Sequence, residues 1–315
     1  MMQIFYKSGG HILSTQKMED LDNLPVEAVI WIDLFAPDEE ETRCAEKFLG
    51  TTIQSRAMAE EIESSSRYSE TETAIYANTN FLIPGPDEYA MEAVSFILTD
   101  GVLATLREVS LRSFTDIQRR MMALPRMYPS GYHIFVAILE NRIDLDADMI
   151  ELMSKEIAQY SKHISLGEHV SEEFLLDINQ LQENTMMVRE NIVDKQRVIS
   201  SVLKSDKYPP EIHEKLSVLI KDIASLINHT NFSFERLEYL QNTLLGLINL
   251  EQNRIMKVFT QVSLLLMPPT LVASIYGMNV HLPVTGTDWD FLILVGVMML
   301  VVAFAIVIFK KRKMM

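Results

Sequence analysis

The spacing of apolar and polar positions changes character along this 315-residue chain. The run Ala28-Val29-Ile30-Trp31-Ile32-Asp33-Leu34-Phe35 is short, nearly all apolar and closed by Pro37, which predicts a buried strand. Thr73 to Ile83 is rich in strand formers and ends at Pro84-Gly85-Pro86. Ala93 to Leu98, then Asp100-Gly101, then Val102 to Leu106 predict a hairpin around an Asp-Gly turn. Segments 38–49 and 55–65 have helical spacing. The sum is an α/β domain, a sheet with covering helices, over about 1–125.

From Ser130 the period is helical with few breaks. One helix is expected from about Ser130 to Ile164, with a turn at Gly167. Ser171-Glu172-Glu173 supplies a cap and first-turn acids for a second helix to about Leu203. Lys204 to Pro210 reads as a turn, with Pro209-Pro210 opening the next helix. A polar patch follows at Asn228-His229-Thr230-Asn231, and the next breaker is Pro268. The expected organisation is therefore long cytosolic helices over 126–230 and a stalk helix over 231–276 that continues into the membrane. Its 45 or so residues would make a rod of roughly 70 Å.

Two apolar stretches follow, Ile255 to Ile275 and Trp289 to Phe309. Each approaches the ~20 residues that cross a bilayer as a helix. The connector, 277–288, is too short for a domain and begins with the signature Tyr276-Gly277-Met278-Asn279. The chain ends in a basic tail, 310–315.

Charge sharpens the picture. The net charge is −15, but from Ile255 onward Lys257, Lys310, Lys311, Arg312 and Lys313 outweigh Asp288 and Asp290 by three, leaving −18 on the preceding part. So acidic a domain repels nucleic acid and anionic lipid. The basic tail and a connector without Lys or Arg put both termini in the cytoplasm and the loop outside, in a cytoplasmic membrane. The single cysteine, Cys44, excludes a disulfide framework and a zinc thiolate cluster. The N-terminus lacks a signal peptide's apolar core, so the C-terminal spans are expected to do the targeting. No Gly-Lys-Ser/Thr phosphate loop and no His-Glu-x-x-His occur, so neither a bound nucleotide nor an enzyme site is expected.

Two membrane helices cannot enclose an aqueous path, so conduction would require an oligomer. The first span is the better pore-lining candidate. One face reads Asn242, Gly246, Asn249, Asn253, Met256, Thr260, Ser263, Met267, Thr270, while its neighbours are Leu, Ile and Val. Helix–helix packing through small and hydroxyl residues accounts for such a stripe equally. Lys257 is placed to snorkel to the cytosolic interface, and Pro268-Pro269 frees backbone carbonyls.

Tyr276-Gly277-Met278-Asn279 after Met267-Pro268-Pro269-Thr270-Leu271, with a short loop, a second span and a basic tail, resembles the CorA family of magnesium channels. Asn249-Leu250-Glu251-Gln252-Asn253-Arg254 resembles its bacterial members. The resemblance is motif-specific over about 240–315. It implies a homopentamer with an α/β/α cytosolic funnel, long stalk helices and a central pore. It implies that Gly277, Met278 and Asn279 form a selectivity filter. It also implies that Asn253, Met256, Phe259 and Met267 line the pore, Asn253 as an inner polar ring and the apolar residues as a gate. The cargo implied is Mg2+, with Co2+ and Ni2+ as further ions, and cytosolic Mg2+ as the closing signal. Asp222 and Glu235 are the candidate regulatory acids, Asp288 and Asp290 the candidate cation-capturing acids of the loop. Lys310, Lys311, Arg312 and Lys313 are the candidate basic ring, or a plain membrane anchor. The loop departs from the acidic Met-Pro-Glu-Leu of many members. Two other readings stand beside this one: a Zn2+ transporter of the same superfamily, and a membrane-anchored scaffold whose acidic domain binds a cytosolic partner.

Overall fold

The computed structural model describes residues 1–54, 67–85, 89–166, 172–278 and 289–311. The chain divides into two compact units, Met1–Gln241 and Asn242–Met315. The described residues of the first hold seven strands: β1 (Met2–Ser8), β2 (His11–Thr15), β3 (Val29–Phe35), β4 (Tyr68–Glu70), β5 (Ile75–Ile83), β6 (Ala90–Thr99) and β7 (Val102–Arg107). They form one sheet in the order β2-β1-β3-β7-β6-β5-β4. Only β3 and β7 run parallel; every other pair is antiparallel.

The described helices are α1 (Glu19–Asn23), α2 (Glu39–Leu49), α3 (Arg112–Ala123), α4 (Gly131–Ser165), α5 (Glu172–Val202), α6 (Pro210–Tyr276) and α7 (Asp290–Lys311). α1 and α2 cover one face of the sheet, where Leu21, Ala45 and Leu49 join Ile4, Ile32, Leu34 and Ala104 in one apolar cluster. The other face is aromatic. Phe5 stacks on Trp31 at 4.9 Å, Phe114 of α3 lies 5.8 Å from Trp31, and Phe135 of α4 meets Phe96 edge-on at 5.1 Å. The sheet therefore has helices on both faces, and β3, buried on both, reads as the continuous apolar run seen in the sequence.

The Asp100-Gly101 hairpin forms as the sequence predicts, with both turn residues at positive φ, 48° and 83°. α4 starts directly on it. The Gly131 N–H donates to Gly101 O at 2.6 Å, and a Cβ at residue 131 would lie 2.3 Å from Leu103 N. The β1–β2 hairpin was not anticipated, although Gly9-Gly10, at φ 58° and 82°, marks it in the sequence. The expected helix 55–65, the Gly167 turn, the Ser171 cap and Pro86 lie outside the described residues.

The last long helix differs from expectation. α6 is one helix of 67 residues starting at Pro210, not about 45. The polar patch does not interrupt it: Asn228 and His229 are exposed, and the other two members have partners. Thr230 is buried and its Oγ1 donates to Ile227 O at 2.8 Å, while Asn231 Oδ1 accepts from Arg189 Nε of α5 at 2.8 Å.

Buried charge ties α4 and α5 to β5. Asp146, fully buried, accepts from Arg142 Nε at 2.8 Å and Asn191 Nδ2 at 2.9 Å. Lys195 Nζ, also fully buried, lies 3.4 Å from Asp146 Oδ2 and donates to Asn80 O at 2.7 Å. Asp194 accepts from Thr79 Oγ1 at 3.1 Å and Asn80 N at 3.0 Å.

Two expectations follow from these contacts. Gly131→Ala drives a methyl into the backbone of β7 and is expected to cost about 3 kcal/mol or more; an unchanged thermal midpoint would mean that the helix start slides to make room. The second concerns pH. Burial pushes the pKa of Lys195 down to about 8, assisted by Arg142 and opposed by Asp146 and Asp194. An unfolded lysine keeps its higher pKa, so above about pH 8 the unfolded chain binds more protons and stability rises with pH. A rise of roughly 1–2 kcal/mol is expected between about pH 8 and 9.5, and Lys195→Met should abolish it in denaturation curves taken at both ends of that window.

Candidate functional site

Within the second unit, Leu244 is the last buried side chain of α6; none of the residues 245–276 is buried. The stripe Asn242, Gly246, Asn249, Asn253, Met256, Thr260, Ser263, Met267, Thr270 lies on this helix. Its steps alternate four and three, a mean of 3.5, the spacing of a coiled-coil seam. From Asn253 to Thr270 every member falls within about 60° of the Met256 direction, and Phe259 lies at about 60° on the opposite edge from Asn253. Met256, Phe259 and Met267 are 63%, 65% and 67% exposed.

The hydroxyls on this face are oriented by the helix itself. Thr260 Oγ1 donates to Met256 O and Thr270 Oγ1 to Leu266 O, each at 2.8 Å. The single hydroxyl proton is thus engaged, and each oxygen presents only lone pairs outward. Such a surface accepts hydrogen bonds from water, including metal-bound water. Pro268 and Pro269 sit inside the helix without breaking it; having no N–H, they leave Leu264 O and Leu265 O without their usual donors.

The helix ends at the signature. Gly277 N donates to Ala273 O at 2.9 Å and Met278 N to Ile275 O at 3.3 Å, closing the last turn. A Cβ at residue 277 would press on Ala273 O at 3.3 Å, so glycine permits this closure. Met278 is exposed. Asn279, Asp288, Arg312 and Lys313 lie outside the described residues. Asp290 opens α7, and Lys310 and Lys311 close it. The described apolar part of α7, Phe291–Val307, is shorter than a full span, whereas α6 is long and apolar enough to cross a membrane.

The two regulatory candidates are not brought together. Asp222 and Glu235 are both exposed on α6, thirteen residues apart, or about 20 Å along the helix. Glu235 borders a cleft of about 310 Å3 with Arg189, Glu190, Asn231 and Phe234. Asp222 instead acts electrostatically on Asp144 of α4. Burial raises the pKa of Asp144, and Asp148 and Asp222 raise it further, with Arg120 opposing. Sequence reasoning missed Asp144 and Asp148, although their i, i+4 spacing puts them on one helix face. Among the described residues no three His, Cys, Asp or Glu side chains converge into a ready metal site.

Residues 26–311 match the family described as CorA-like Mg2+ transporter protein. The magnesium transport protein CorA of Wolinella succinogenes is 33% identical over 319 residues, 99% of each chain. The protein of the same name from Escherichia coli K12 is 32% identical over 266 residues, 84% of each. In fold the chain is similar to the complete CorA magnesium transporter of Methanocaldococcus jannaschii, with a TM-score of 0.81 at 16% identity, over 99% of this chain and 98% of that one. The chain belongs to the CorA-like Mg2+ transporter family.

Proposed function

We propose that the chain is one protomer of an oligomeric channel, of five copies in the family arrangement, that admits Mg2+ to the cytosol. The observation that carries this reading is the heptad-spaced face of α6, uncovered within the chain and ending at Gly277-Met278. Copies of α6 packed along that seam would surround a path lined by Asn253, Thr260, Ser263 and Thr270. Met256, Phe259 and Met267 would narrow it into an apolar gate. α7 is the second span, and both termini are cytoplasmic. The names of the Wolinella and Escherichia relatives, both magnesium transport proteins, support Mg2+ over Zn2+ as cargo; Co2+ and Ni2+ are further candidates.

The chemistry fits the ion. Mg2+ gives up water reluctantly, so a lining that offers neutral acceptors to the ion's own waters lowers the barrier to entry without trapping it. The Asn279 amide, at the outer end, would provide such acceptors as a ring. No nucleotide is needed, since a divalent ion moving inward through 100 mV gains about 4.6 kcal/mol, twice the single-charge value. For closure, cytosolic Mg2+ would relieve the repulsion among Asp144, Asp148 and Asp222.

Mg2+ uptake into proteoliposomes under an inside-negative potential tests the channel. Wild type is expected to conduct, and Asn279→Ala, assembled to the same oligomeric size, to lose at least about tenfold of the flux, the loss of about 1.4 kcal/mol of stabilisation. Equal flux in the two would remove Asn279 from the filter. The regulatory reading has a pH signature. A carboxyl whose folded pKa is raised gives stability below its ordinary pKa and loses it as pH rises through the folded value. Asp144→Asn is therefore expected to raise the thermal midpoint in metal-free buffer at neutral pH, with the gain shrinking as the medium is acidified toward the carboxylate range. Added Mg2+ should stabilise wild type more than the variant; equal Mg2+ effects would take Asp144 out of the regulatory site.

A further inference from the structure

The helices on the two faces of the sheet carry opposite charge. Residues 19–49, which hold α1, β3 and α2, contain ten acids and two bases, whereas 112–127, α3 and the 3-10 turn Pro125–Met127 after it, contain four arginines and one acid. α1 and α2 lie on the face of Ile4 and Ile32, and α3 on the face of Phe5 and Trp31. Pairing within the chain accounts for part of this charge. Arg112 pairs with Asp116 at 3.5 Å, and Arg120 acts on Asp144 of α4. Asp22 pairs with Lys47 at 3.0 Å, and Glu39 with Arg43 at 2.9 Å. Among the described residues Arg119 and Arg126 remain without a carboxylate partner, and Glu19, Glu27 and Glu40 without a cation. All five are exposed.

Each face also carries apolar surface. On the basic face Met122, Leu124 and Met127 are 43%, 56% and 59% exposed. On the acidic face Leu21, Leu24, Val26, Cys44 and Phe48 line a cleft of about 260 Å3, together with the Asp22–Lys47 pair. Glu27 follows Val26 directly, and Glu40 acts electrostatically on Cys44. One face thus offers apolar knobs among unpaired arginines, and the other an apolar cleft among unpaired acids. Single apolar side chains are ordinary on a surface. Methionine and arginine side by side are instead the composition of an interface core, and methionine adapts to an irregular cleft.

We propose that the α3 face of one copy docks on the α1–α2 face of the next copy. The two patches differ and lie on opposite faces of the sheet, so the contact is head-to-tail and repeats from copy to copy until it closes into a ring. The proposal rests on the oligomeric reading above and adds to it, joining the copies through their α/β domains as well as along α6. Opposite charges set the register of the contact, and pairing of like faces is rejected because arginine would meet arginine.

Cys44 makes the contact testable, because it is the single cysteine of the chain and lines the cleft. Leu124→Cys places a second thiol on the opposite face. With the sheet between the two thiols of one chain, a short bismaleimide joins residue 124 of one copy to residue 44 of the next. The full chain in detergent is sized by light scattering, treated with the reagent and separated under denaturing conditions. A ladder longer than a dimer is expected from Leu124→Cys. None is expected from wild type, from Leu124→Cys combined with Cys44→Ser, or from the collision control Leu152→Cys, exposed on α4. Adding Arg119→Glu and Arg126→Glu is expected to cut the ladder about tenfold, and adding Glu27→Arg and Glu40→Arg to that chain to restore it. A chain that is monomeric by scattering would overturn the oligomeric reading and this contact with it. An oligomer that gives no ladder, that ladders equally from Leu152→Cys, or that the acid reversals do not restore overturns the contact alone and leaves both faces to other partners.

Discussion

From residue 245 to 276 no side chain of α6 is buried within the chain, and every functional statement about this protein depends on what covers them. Water cannot, because so long an apolar surface would associate. Lipid can cover the leucine, isoleucine and valine directions, yet it leaves the Asn253 amide unsatisfied, which is costly in hydrocarbon. The helix therefore asks for two covers, and the heptad spacing keeps the two requirements on separate sides along its length. Further up the same helix, Ile212, Leu216, Leu219 and Ile223 are buried, so the earlier turns of α6 are held within the first unit while its later turns are not.

Buried ion pairs play a different part. Asp33, at 2% exposure, takes both Arg107 Nη2 at 2.8 Å and Thr105 Oγ1 at 2.9 Å. Such pairs add little net stability, since desolvation offsets their attraction. What they specify here is register. β3 and β7 form the one parallel junction of the sheet, pairing Asp33 with Thr105 and Phe35 with Arg107. A one-residue slip would send Asp33 to the opposite, apolar face. Lys195 and Asp146 do the same for the placement of α4 and α5 against β5.

Local patterns were legible in the sequence, and long-range ones were not. β3, the Asp100-Gly101 hairpin and the extents of α2, α4 and α5 follow from runs and breakers a few residues long. The β1–β2 hairpin carries its own mark in Gly9-Gly10, a turn signal as local as Asp100-Gly101. The true start of α6 was hidden by Asn228-His229-Thr230-Asn231, whose polarity reads as a break until Arg189, about 40 residues earlier, is known to meet Asn231. The alternating acids Asp144, Asp146 and Asp148 were equally opaque. Helical geometry sends Asp146 inward to a lysine 49 residues away and leaves the other two exposed, and only tertiary contacts make that distinction. The stripe on α6 was visible because it is periodic; the outward lone pairs of Thr260 and Thr270 needed coordinates.

The distribution of charge bears on how a divalent ion could pass. The acids are concentrated before residue 255, and between Ile255 and Met278 the helix carries no carboxylate; Lys257 is its only charge. In a low-dielectric path a carboxylate ring would attract a divalent ion strongly enough to hold it, because Coulomb attraction grows as the dielectric constant falls. Neutral oxygens avoid that trap, but they also give little reward for stripping water. On the proposed reading, then, the ion keeps its waters and the protein recognises the hydrated species through acceptors spaced along the helix, with selectivity resting on the size and rigidity of that shell. On the same reading the acidic first unit would raise the local cation concentration, while the face proposed to conduct stays uncharged so that arrival does not become capture.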